Sequence, residues 1–145
     1  MILYYRTDLS GCDDAIYPKS VKISSVSELA EYYEKNKNTY QFQTGYYGGP
    51  SMADDVFGGT TGFGDGFFED RFLLFVILEE GSGSIRHRVE SAQPENGALY
   101  VEITRIIPEV GTADMAQWHI VLDIDKKLAD IDVAVIICDE YFASH

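Results

Sequence analysis

The chain has 145 residues, of which 24 are acidic and 11 basic, for a net charge of −13; 46% are hydrophobic and 13% aromatic. That length suits one domain with a core that needs no disulfide or metal staples, and the apolar content excludes a charge-dominated disordered chain. So acidic a surface repels polyanions, which excludes nucleic acid and anionic membranes as natural partners; the basic triplet Arg86-His87-Arg88 is flanked by Glu79, Glu80 and Glu90.

Met1 to Arg6 starts apolar and turns polar, with no basic region, long apolar core or small-residue cleavage site, so it is not expected to be a signal peptide. With Met1 as the native start the protein is expected in the cytoplasm; with a trimmed start, outside it. Val21 to Ile23 predicts a short strand introduced by Pro18. Val26 to about Lys37 predicts a helix, with Val26, Leu29, Ala30 and Tyr33 on one buried face and a capping box at Ser25 and Glu28.

From Asn38 to Gly66 periodicity stops. This stretch holds eight of the thirteen glycines together with Tyr40, Phe42, Tyr46, Tyr47, Phe57 and Phe63. A structureless stretch of this length inside a domain is typically functional or disordered, and its aromatics can bury area, which predicts an ordered surface loop, mobile around Gly58 to Gly62.

Strands follow. The continuous apolar run Phe72 to Leu78 predicts a central strand buried on both faces, and is too short for a membrane helix, which needs about 20 residues. Gly81 to Ser84 is a turn, Ile85 to Ala92 a strand, and Pro94-Glu-Asn-Gly97 a hairpin signal. Leu99, Val101 and Ile103 alternate with polar neighbours; Trp118, Ile120, Leu122 and Ile124 alternate with His119, Val121, Asp123 and Asp125, which places His119 on the polar face. Asp132 to Cys138 is the last apolar strand. Short links favour antiparallel pairing, so the expected fold is α+β: a mainly antiparallel sheet or sandwich with one amphipathic helix, in a single domain spanning 1–145.

Few residues assemble into chemistry. Gly58 to Gly66 is rich in glycine, but a phosphate loop needs a following Lys and a preceding strand, and here Asp65 sits inside it. Asp54, Asp55, Asp65 and Asp70, with Glu69 nearby, could offer calcium its hard oxygens, without the spacing of a calcium hand. His119, Asp114 and His87 are candidates for a metal or acid–base site, without the His-Glu-x-x-His spacing of metalloproteases. Ser82 and Ser84 lie in an ordinary turn sequence rather than a nucleophile elbow. Asp13 and Asp14 disfavour a thiolate at Cys12, Cys138 reads as core, and two cysteines make no framework.

Two segments resemble a bacterial protein family without an assigned activity: Ser82-Gly-Ser-Ile-Arg-His-Arg-Val89 after an apolar strand, and Pro108 to Ile120 after a hairpin, joined by the strand and Ser-x-x-Glu-Leu helix from Tyr17 to Leu29. Phe72 to Lys126 is also similar to the small β domain of PrcB-type protease-complex accessory proteins, although Gly81-Ser-Gly-Ser84 replaces their Thr-Gly-Gly-Tyr turn and Gln117-Trp118-His119 lacks their proline. That similarity implies a binding or stabilising module and names no catalytic residues.

The resulting expectation is a non-enzymatic domain that contacts a protein or small-molecule partner through Tyr46, Tyr47, Phe57 and Phe63, with no cofactor, since aromatics on an adaptable loop give large contact area at low entropic cost. The alternatives are an enzyme built on Asp114, His119 and His87, and a calcium-stabilised domain. The oligomeric state is left open.

Overall fold

The computed structural model describes residues 2–10, 15–45, 49–58 and 63–142, without the side chain of Phe142. Seven strands and few helical turns make an α+β fold: β1 (Ile2–Arg6), β2 (Lys19–Ile23), α1 (Val26–Asn36), a π-helical turn (Ala53–Phe57), α2 (Phe67–Asp70), β3 (Arg71–Glu80), β4 (Arg86–Glu95), β5 (Ala98–Pro108), β6 (Ala116–Asp125), a 3-10 turn (Lys126–Leu128) and β7 (Asp132–Phe142). The chain gathers into two compact units: Met1–Glu79 with Gln117–Ala129, and Glu80–Ala116 with Asp130–His145.

The first unit carries a four-stranded sheet in the order β1-β6-β3-β2. β1 and β2 lie antiparallel to β6 and β3, with Tyr5 opposite His119 and Val21 opposite Phe75. β3 and β6 are the inner strands. Every residue from Phe72 to Leu78 is buried, as is every residue from Ala116 to Leu122. Both faces of these strands are therefore covered, and an alternating pattern cannot mark an outward side there.

Helix α1 begins as its capping box dictates: Glu28 N–H donates to Ser25 Oγ at 3.1 Å, and Ser24 N–H donates to the Glu28 carboxylate at 3.2 Å. Ser25 thereby satisfies one backbone donor that the first helical turn leaves open, and Glu28 reaches back to the residue before the cap. The helix buries Leu29 and Tyr32 against Phe75, Ile77, Val121, Tyr40 and Phe42. Tyr32, which the expected stripe omits, is as deeply buried as Leu29, while Val26 is 38% exposed.

The stretch after α1 is not a surface loop throughout. Tyr40, Phe42, Met52, Val56 and Phe63 are all buried in the core of this unit. With no regular pattern to read, their contribution is invisible to periodicity, yet each fully buried side chain of this size contributes roughly 1.5–3 kcal/mol.

The second unit carries a three-stranded sheet in the order β4-β5-β7. β4 and β5 form the expected hairpin, turning at Asn96 (φ 50°) and Gly97 (φ 83°), both in the left-handed region that such turns require. β7 departs from the antiparallel expectation. It runs parallel to β5, from Ala98 opposite Asp132 to Pro108 opposite Phe142, because the intervening strand β6 belongs to the other sheet. Cys138 is also corrected: it lies exposed on the edge strand as a free thiol, not in the core.

Candidate functional site

Two structures in the first unit concern function: a sealed polar box around His119 and a cavity beside α1. Residue 119 is placed by β6, whose odd positions face α1 and the aromatic stretch. Rings of Tyr40, Phe42, Tyr32 and Phe75 surround the imidazole at centroid distances of 4.7, 5.4, 6.0 and 6.0 Å. Its Nδ1 lies 2.5 Å from Thr7 Oγ1 and its Nε2 lies 2.7 Å from Tyr32 Oη. A neutral imidazole has one N–H and one lone pair, so it donates to one hydroxyl and accepts from the other. Burial, with a smaller contribution from Lys19, lowers its pKa to about 3. Burial also raises the Tyr32 phenol, so the whole box is uncharged at neutral pH. The expected outward-facing His119 is therefore corrected: it is fully buried and faces no solvent.

The other members of the expected acid–base site have separate partners, all in the second unit. His87 Nε2 sits 2.7 Å from Glu80 Oε2, and Arg105 grips the same carboxylate with Nε and a terminal nitrogen. Burial alone would raise the Glu80 pKa; hydrogen bonds from His87 and Arg105 outweigh it and hold the group below the usual carboxylate range. Asp114 Oδ1 accepts the Gly83 N–H at 3.1 Å. Ser84 Oγ takes Thr112 N–H at 3.1 Å and lies 2.8 Å from Ser82 Oγ, so these hydroxyls fasten one turn to another. Each of His87, Asp114 and His119 thus has its own hydrogen-bond set.

The acidic candidates do not converge either. Asp54, Asp65 and Asp70 are exposed, and Asp55 accepts the Tyr5 hydroxyl at 2.7 Å. Among the described residues, no three His, Cys, Asp or Glu side chains come together to hold a metal ion.

The expected contact residues divide. Tyr46 and Tyr47 lie outside the described residues. Phe63 is buried in the core, and Phe57 is half-buried. Both of these line a cavity of about 450 Å³. It is lined by Val26, Leu29, Ala30 and Tyr33 of α1 together with Ala53, Val56 and Phe57 of the π-helical turn and Phe63. The helical stripe that the sequence marks as core thus opens onto a space. The Phe57 ring is held by Tyr33 and Phe42, each 5.0 Å away between centroids. Gln43 Nε2 donates to the Tyr33 hydroxyl at 3.0 Å, which orients that phenol at the cavity wall. Among the described residues the charged lining residues are Glu34, which accepts from Lys37 at 2.7 Å, and Asp54, and no Lys, Arg or His lines the cavity. The sequence signal for this site was the apolar stripe itself, but its cavity-facing role needed the fold.

Compared with protein-family models, curated proteins and solved structures, the chain finds no match. Among the described residues, no helix is long and apolar enough to cross a membrane.

Proposed function

We propose that this chain is a ligand-binding domain whose cavity takes a small, flat, apolar molecule bearing a cationic group. The observation that carries this reading is the α1 stripe facing an aromatic-walled space whose only charged lining residues, among the described residues, are acids. The volume is in the range of small-molecule sites, which combine apolar walls with a few placed polar groups. Phe57 and Tyr33 offer aromatic rings to a planar ligand, and a cation near them gains from the ring quadrupole as well as from Asp54 and from Glu34, whose carboxylate it shares with Lys37. An anionic ligand would meet those two carboxylates and a chain of net charge −13. A binding rather than catalytic module is also what the likeness to PrcB-type accessory domains implies.

Tryptamine and indole-3-propionate share a ring and differ in charge, so they test the reading as a pair. By calorimetry tryptamine should bind and indole-3-propionate should bind at least about tenfold more weakly, a difference that one favourable and one unfavourable charge contact supply. Ala30→Trp, on an exposed position of the helical wall, should fill the space and abolish tryptamine binding without unfolding the chain. Equal binding of the two indoles, binding unaffected by Ala30→Trp, or no binding of either would overturn the proposal.

A further inference from the structure

Strand β7 ends the three-stranded sheet, and β5 is its sole strand partner among the described residues. An edge strand presents a row of backbone donors and acceptors to any strand that can pair with it, and proteins blunt such edges with brevity, charge or proline. The other three edges are blunted. β1 has five residues; β2 has five and carries Lys19 and Lys22; β4 carries Arg86, Arg88 and Pro94. β7 is eleven residues long, without Lys, Arg or Pro, and Val133 to Cys138 is an uncharged apolar run. Ile136 is 39% exposed and Tyr141 74% exposed. Two acids near its end are answered from within the chain: Asp139 accepts from Arg105 at 2.9 Å and Glu140 from Arg88 at 3.2 Å.

We propose that β7 pairs antiparallel with β7 of a second copy of this chain, about a twofold axis at Ile137. The strand is its own complement in that register. Asp139 falls opposite Val135, Glu140 opposite Ala134 and Asp132 opposite Phe142, so no two acids are directly opposed. Odd positions meet odd positions, which continues the half-buried row Val133, Val135 and Ile137 across the axis and sets exposed Tyr141 over Val133 of the second copy. Exposed Ile136 meets Cys138 of the second copy on the other face. A sheet of order β4-β5-β7-β7-β5-β4 results. Because each copy carries −13, association strengthens as salt screens the repulsion.

Sedimentation equilibrium of the whole chain, from low to high micromolar and at physiological and high salt, tests this. A monomer–dimer equilibrium that tightens with salt is expected. Ile136→Glu with Cys138→Glu should loosen it by at least about tenfold, since like charges then face each other twice across the axis. Far-ultraviolet circular dichroism should stay near wild type, as both side chains are on exposed positions, and the urea midpoint should fall only slightly, through the new carboxylate at position 136 beside Glu102. Independently, Ile136→Cys in a Cys12→Ser background should crosslink to Cys138 of the second copy under mild oxidation, because directly opposed residues lie within disulfide reach. A monomer at every concentration, a dimer that the charged variant leaves intact, or a monomer that takes up only foreign extended peptides would overturn the proposal.

Discussion

Acidifying the solution from pH 7 to pH 5 should destabilise this protein through His119 alone by about 2 kcal/mol. The imidazole is fully buried between the Thr7 and Tyr32 hydroxyls, and its folded pKa is near 3 against an ordinary 6.5. Between those two values the unfolded chain binds a proton that the folded chain refuses. Stability therefore rises with pH through this window and is lost as pH falls below about 6.5. At pH 5 the unfolded imidazole is almost fully protonated, at about 1.4 kcal/mol per pH unit below its ordinary value, which gives the figure above. Carboxylates also titrate in acid, so the isolating experiment is a difference. His119→Gln keeps a donor and an acceptor between the two hydroxyls and removes the titration. Urea unfolding at both pH values should show wild type losing about 2 kcal/mol more than the variant. Equal losses in the two proteins, or a folded-state imidazole titrating near pH 6.5 by NMR, would refute the reasoning.

Other perturbations follow from particular contacts. Glu80→Ala should cost about 3–5 kcal/mol in urea unfolding, because it leaves the Arg105 guanidinium and the buried His87 ring without their shared carboxylate. The same carboxyl, held below its usual pKa, gives stability that is present above the ordinary carboxylate range and is lost as pH falls through it. Gly97→Ala should destabilise by about 1–2 kcal/mol, since the hairpin needs φ of 83° there. Gly58→Ala would place a Cβ 2.6 Å from the Asp54 carbonyl and should cost about 1–3 kcal/mol while reshaping the cavity wall, seen as weaker tryptamine binding. Tyr32→Phe should cost about 1–3 kcal/mol by removing the hydroxyl that meets His119 Nε2.

Much of the secondary structure was legible because it rests on local rules. The capping box at Ser25 and Glu28, the left-handed Asn96-Gly97 turn and the all-apolar β3 core each declare themselves within a few residues. β1 escaped because five residues of mixed polarity, Ile2 to Arg6, become a strand only by pairing with β6, more than a hundred residues away. The π-helical turn and α2 escaped because they are too short to show a period.

Composition and local pattern alone determined that this is an acidic α+β chain with a capped amphipathic helix, a hairpin and a fully apolar central strand. The tertiary structure alone decided what those patterns face. Alternation along β6 cannot tell water from a second buried layer, so His119 changed from a surface candidate to the centre of a neutral hydrogen-bonded box. An apolar stripe cannot tell core from cavity, so Val26, Ala30 and Tyr33 became walls of a binding space. An apolar strand cannot tell centre from edge, so Cys138 came to lie exposed on β7. In each case the local signal reports a preference for leaving water, and only long-range pairing decides what replaces it.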